Sequence, residues 1–408
     1  MSQSLYLSRY AEASCGLWEE VEGNPEMIVV IPVHNEPDIK TALNSLHQCL
    51  SPNCDVAIFI IINASTDDQE GIHFQNANTV DQINNIQINY NQYFKSLMLP
   101  PAKAGVGLAR KIGMDEAVRF FEHNQKDGII ICYDADCICD PNYLIEIEAY
   151  YRDKKHLLGL IHHEHVLNGI NREPIINYEL YLRYYVNALR WSGYPHALQT
   201  LGSCITVRSR AYQKQGGMNK RKAGEDFYFI HKMVPLGGVR EINNTTIYPS
   251  DRISDRVPFG TGHAIGKYLD NPDQDYPIYN PLIFQDLKSI NEDLKLCFDE
   301  PSIWLKALPE SLKVFCKQNL FEEALLKIIS QAGSYDNFID RYYQCWDGFQ
   351  VLKYVHFARD NFFANTGIDQ SISWLFQQKA IPIIDNSDRS EALLKLREID
   401  KKTNFYIR

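Results

Sequence analysis

The chain has 408 residues, 45% of them hydrophobic, and a formal net charge of −10. Such a length allows a sizeable core and two or more domains, and the negative balance argues against nucleic acid as a passive electrostatic partner. No stretch reaches the roughly 20 apolar residues of a membrane-spanning helix, and the start of the chain lacks the basic head and apolar run of a signal peptide. The ten scattered cysteines accordingly read as reduced thiols of a cytoplasmic protein.

Residues 1–25 read as a short amphipathic lead-in. Residues 27–31, Met-Ile-Val-Val-Ile, form the first buried-strand pattern, stopped by Pro32, which has no N–H to give a ladder. Val33, His34, Asn35 and Glu36 then form a loop, and Pro37 opens a helix with an apolar stripe at Ile39, Leu43, Leu46 and Leu50. A second strand at 56–62 ends in the polar turn Asn63-Ala64-Ser65-Thr66-Asp67-Asp68, and alternation at 85–90 predicts a third.

Small residues at 104–109 lead into a helix whose apolar face is Leu108, Ile112, Val118 and Phe121. Glycines before a helix let backbone N–H groups approach a phosphate. Lys103, Arg110 and Lys111 add the cations that a diphosphate attracts.

The central element is Ile129-Ile130-Ile131-Cys132-Tyr133-Asp134-Ala135-Asp136. A short β-branched run predicts a buried strand of a parallel sheet. It ends in two carboxylates, which at the carboxyl edge of such a sheet face ligand and can share a hard divalent cation completed by phosphates. Pro141 starts the next helix. The order so far, with helices between strands, predicts an open α/β sheet.

A strand at 157–161 runs into His162-His163-Glu164-His165, where alternation sends His163 and His165 to one face and His162 and Glu164 to the other. Residues 178–191 have helical spacing and many aromatics, and 202–207 forms another short strand. Gly216-Gly217 turns the chain, Lys220-Arg221-Lys222 is a solvated loop, and Gly224-Glu225-Asp226 introduces a helix. A strand at 239–248 and a polar, glycine- and arginine-rich loop at 252–263 follow. Residues 271–281 read as a linker, with helical patterns and a charged tail beyond it.

Taken in order, Val30-Ile31-Pro32-Val33-His34-Asn35-Glu36, Asn63-Ala64-Ser65-Thr66-Asp67, Gly107-Leu108-Ala109-Arg110, Asp134-Ala135-Asp136, Gly216-Gly217 and Gly224-Glu225-Asp226 resemble the family 2 glycosyltransferases of the GT-A fold, over residues 27–263. The resemblance implies an open, mostly parallel twisted sheet flanked by helices. It places a nucleotide-sugar-binding catalytic domain at 1–270 and a mainly helical accessory domain at 271–408. It implies inverting, metal-dependent transfer of a sugar, as by a hexosyltransferase, from a nucleotide-diphosphate donor to a carbohydrate or lipid-linked hydroxyl.

By that resemblance Pro32, Val33, His34 and Glu36 line the nucleotide pocket, Asn63 meets the base, and Arg110, with Lys103 beside it, lies near the phosphates. Asp136 binds Mn²⁺ or Mg²⁺, Asp134 contacts the ribose or shares the cation, and His263 adds a ligand. Asp226 is the catalytic base, with Glu225 beside it as the second catalytic candidate.

Two features depart from the family pattern. Ile62-Asn63 replaces the usual acidic pair, which leaves uracil and guanine both open. The Gln-x-x-Arg-Trp motif of processive members is absent after Asp226, so the expected enzyme is non-processive. Peripheral membrane contact is compatible with this reading. The alternatives are a non-catalytic nucleotide-sugar-binding protein of the same fold, a sugar-phosphate nucleotidyltransferase, and a zinc hydrolase built on residues 162–165.

Overall fold

The structure is a computed structural model that describes residues 4–221, 224–253, 260–270, 276–381, 388–403 and 405–407. Lys222, residues 254–259 of the expected loop and residues 271–275 of the expected linker lie outside them. The chain divides into two compact units. One comprises residues 1–172, 200–266 and 397–408, and the other 173–199 with 267–396.

The first unit is built on one mixed sheet. Its strands are β1 (Met27–Val33), β2 (Val56–Ser65), β3 (Asn91–Leu99), β4 (Ile129–Cys132), β5 (Ile138–Cys139), β6 (Leu158–His163), β7 (Ile205–Arg208) and β8 (Val239–Tyr248). From one edge the order is β3, β2, β1, β4, β7, β6, β8, closed by a terminal strand Tyr406–Ile407, with β5 pairing β8 separately. β3, β2, β1 and β4 run parallel, and β7 lies antiparallel between β4 and β6. Every residue of β1, β2 and β4 is buried, which is why these segments read as continuous apolar runs. The chain leaves β1 for β2 and β3 on one side, then returns to place β4 on the other. The carboxyl ends of β1 and β4 therefore flank a topological switch point, where open α/β sheets receive ligands.

β1 does not stop before Pro32. It continues to Val33, because β4 pairs only Met27 to Val30 and leaves no ladder on that side for Pro32 to interrupt. The third strand lies at 91–99 rather than 85–90. Ahead of it stands a helix, residues 70–84, whose buried residues are Asn76, Thr79 and Ile83. So polar a buried face gives no clear 3.6-residue apolar stripe.

The helices that bear on the candidate site are α1 (Ile39–His47), α2 (Val106–His123) and α3 (Glu225–Met233). Asp38 caps α1 by accepting from the Thr41 N–H at 3.3 Å. Ile39, Ala42, Leu43 and Leu46 are buried, but the helix ends before Leu50, which is exposed. α2 carries buried charges as well as apolar side chains. Lys111 bonds Asp115 at 3.0 Å and the Tyr6 hydroxyl at 3.0 Å, so its ammonium serves the packing of the amino-terminal segment and not a ligand.

In the second unit, helices from Pro281 to Gln378 enclose an aromatic core that includes Phe315, Phe338, Tyr342, Trp346 and Tyr354. Among the described residues, no helix is long and apolar enough to cross a membrane.

Candidate active site

The two acids of the central element sit on the turn that follows β4. Asp134 and Asp136 keep 35% and 25% of their side-chain surface exposed. Each carboxylate is held by a different arginine.

Arg110, one turn into α2 and 2% exposed, spans two carboxylates. Its Nη2 donates to Asp134 Oδ1 at 2.6 Å, and its Nη1 donates to Glu225 Oε1. Burial works against the guanidinium charge, but Asp134 and Glu225 outweigh it and raise the Arg110 pKa. The expected phosphate-side cation is thus a buried brace between the end of β4 and the start of α3. Two glycines make room for it. A Cβ on Gly202 would stand 2.6 Å from Arg110 Nη1, and one on Gly107 would stand 2.2 Å from the backbone oxygen of Arg221 and 3.2 Å from the Glu225 Cβ. Gly107 lies inside the helix and lets Arg221 and Glu225 approach it, so its smallness is used by the protein's own backbone.

Arg252 was not singled out by sequence reasoning. Its Nη1 donates to Glu36 Oε1 at 2.7 Å, and its Nη2 donates to Glu36 Oε2 and, at 3.1 Å, to Asp136 Oδ2. Glu36, on the loop after β1, is 1% exposed. A buried carboxylate needs a paired cation, and that requirement was the available sequence signal. The partner lies 216 residues away, beyond any local pattern.

Asp226 opens α3 beside Glu225 and is half-buried. Its Oδ1 accepts from the Phe227 N–H at 2.7 Å. Burial first, and the negative charge of Glu225 second, push its pKa up to about 7. Arg110 opposes the shift and Asp134 adds to it. Asp226 therefore feels the same charge cluster as the acid turn.

The other expected residues are placed as follows. Asn63 is buried near the end of β2, its Nδ2 donating to Val33 O at 2.7 Å, which joins β2 to the β1 loop. His34 Nδ1 lies 3.0 Å from Asn63 O and 3.8 Å from Asp68. Pro32 and Val33 end β1. Lys103 is exposed on the turn before α2. His263 is exposed in the first turn of a helix over Thr261–Asp270.

His162 and Glu164 pair at 3.1 Å, and the His163 ring centroid lies 6.0 Å from that of His165 and 6.4 Å from that of His162, where the register of β6 shifts. Among the described residues, no group of three or more His, Cys, Asp or Glu side chains is arranged to hold a metal. The two carboxylates of the acid turn nonetheless fit a hard cation of the Mg²⁺ or Mn²⁺ type. Such an ion commonly takes one or two protein carboxylates and completes its shell with water and substrate phosphate.

No protein-family model and no curated protein matches the chain. Among solved structures, the chain is similar to residues 1–349 of S. aureus TarS in complex with UDP-GlcNAc. The identity is 14% and the TM-score 0.42, over 80% of this chain and 91% of that one. For the same TarS fragment in complex with UDP the identity is 14% and the TM-score 0.40, over 88% of this chain and 95% of the other.

Proposed function

We propose that the chain is a non-processive, inverting glycosyltransferase of the family 2 type. It moves a hexosyl group from a nucleoside-diphosphate sugar to a hydroxyl of a carbohydrate or lipid-linked acceptor. The observation that carries this reading is the Arg110 brace. It ties the acid turn at a sheet switch point to Glu225, the neighbour of Asp226, whose carboxyl pKa is pushed up to about 7 by burial and by Glu225. A general base is most effective when its pKa lies near the working pH.

Asp226 accepts the proton of the acceptor hydroxyl as its oxygen attacks the anomeric carbon. One base and one direct displacement give inversion. Glu225 is committed to Arg110, so it acts as a positioning residue that fixes the start of α3. Glu36 and His34 border the switch point from the β1 side, and Asn63 fixes that loop through Val33. Asp136 and Asp134 would hold the divalent cation, which when bound supplies Lewis-acid neutralisation of the departing diphosphate. Arg252 donates to Asp136 Oδ2 as well, so it would compete with the cation for that carboxylate. The proposed catalytic residues all belong to the unit of residues 1–172, 200–266 and 397–408, and the unit of residues 173–199 and 267–396 serves as an accessory domain.

Asp226→Asn tests the base. The substitution keeps shape and hydrogen-bonding capacity but cannot take a proton. Transfer should fall by about 10²–10⁴-fold, the usual contribution of a general base, while metal-dependent binding of the donor stays within a few-fold. Near-normal transfer would reject the assignment. Wild-type binding of a donor panel without any transfer would reject the enzyme reading itself.

A further inference from the structure

The turn carrying Asp134 and Asp136 is followed directly by β5, and β5 presents Cys139 to Cys49, just past the end of α1. The two Sγ atoms lie 3.6 Å apart, in van der Waals contact and about 1.5 Å beyond a disulfide bond length. Both cysteines are free thiols. The backbones around them are already joined. Cys139 N–H donates to Ser45 Oγ at 2.8 Å, and Leu50 N–H donates to Pro141 O at 2.7 Å. Cys49 Sγ also lies 3.5 Å from Ser45 O and 3.9 Å from Asp140 O. Bond formation therefore needs side-chain rotation more than movement of either element. Cys49 is buried and Cys139 half-buried, so a small reagent reaches Cys139 first.

We propose that Cys49 and Cys139 form a reversible intramolecular disulfide by exchange with a low-molecular-weight disulfide such as oxidised glutathione, tying α1 to the strand behind the acid turn. The Cys139 thiolate attacks one sulfur of the small disulfide. That S–S bond breaks, a new one forms to Cys139, and the departing thiolate takes up a proton. Cys49, losing its proton to solvent, then attacks Cys139 sulfur and expels the second small thiol. Two electrons pass from the protein dithiol to the reagent, which leaves as two thiols. The hydrogen bond from Cys49 lowers the pKa of Cys139 while raising that of Cys49, in keeping with this order of attack. The proposal does not depend on the sugar-transfer reading.

The full chain is equilibrated in glutathione buffers of graded oxidised-to-reduced ratio, quenched with acid, and examined by intact mass and peptide mapping. The expected product lacks two hydrogens, carries no glutathione, maps to the Cys49–Cys139 pair and reverts with dithiothreitol. Its hydrogen exchange over residues 134–141 should slow, and its melting temperature should rise because the link constrains the unfolded chain. Cys49→Ser should instead trap one glutathione on Cys139, and Cys139→Ser should leave Cys49 unmodified. The proposal is overturned if both thiols survive the most oxidising buffer, if glutathione stays on Cys139 of the wild type, or if the bond maps to another pair.

Discussion

At the scale of single residues, the proposed reaction turns on the charge of Asp226. Its carboxyl titrates near 7 because burial and Glu225 both disfavour its charge. A base must be ionised, so transfer should fall about tenfold per pH unit below that value and level off above it. Stability moves the other way. Between the ordinary carboxylate range and about 7 the folded chain holds a proton that the unfolded chain has lost, so stability declines as pH rises through that window. A rate profile whose acid limb sits near 4 would show that Asp226 is not the titrating base. The carboxylates Asp134, Asp136, Glu225 and Asp226 were legible in the sequence, since each stands in a short motif. The pairings were not. Arg110 reads as a phosphate ligand until its burial between Asp134 and Glu225 is seen, and Arg252 reads as one polar residue in a polar loop.

At the scale of elements, α2 packs closely against Arg221 and against Glu225 at the start of α3. Gly107→Ala measures how far that packing depends on close approach. Alanine favours a helix interior by about 1 kcal/mol, yet its Cβ would stand 2.2 Å from a backbone oxygen, which cannot swing aside as a side-chain end can. Overpacking of this kind costs about 1–3 kcal/mol. Net destabilisation in urea is expected, with transfer falling further than stability because the added methyl also presses on Glu225, at the start of the helix that carries Asp226. A stabilised variant with normal transfer would show that Arg221 and Glu225 accommodate the methyl group. β1, β2, β4, α3 and β8 were readable because their burial leaves apolar runs or stripes. The helix over 70–84 was not, since Asn76 and Thr79 occupy its buried face. The extension of β1 through Pro32 follows from where β4 ends, and a single segment carries no trace of that.

At the scale of the whole molecule, the unit that carries the sheet and the candidate site is discontinuous. The expected contiguous break at 270 and the division into compact units differ over residues 173–199, 267–270 and 397–408. The last segment adds the terminal strand to β8, while Arg397 and Lys401 bond Glu164 at 3.2 Å and 2.7 Å. Burial opposes the Glu164 charge, but His162, Lys401 and Arg397 prevail and hold its pKa at about 2. That stabilisation is present above the ordinary carboxylate range and fades as pH falls toward 2. Removing residues 397–408 leaves Glu164 without either cation and opens a sheet edge. The loss should exceed about 3 kcal/mol, the lower figure for breaking a buried pair, read as a drop in the urea midpoint. An unchanged midpoint would mean that the segment only rests on the sheet.

This arrangement also sets an order of events during synthesis. A ribosome releases Glu36, the acid turn and Asp226 long before it reaches Tyr406. Until then the strand beside Val239 and Arg240 of β8 is missing, though the other end of β8 already pairs β5, and Glu164 lacks Arg397 and Lys401. That flank of the sheet thus stays open until residues 397–407 emerge, which makes the interval a natural moment for a chaperone to hold the nascent chain.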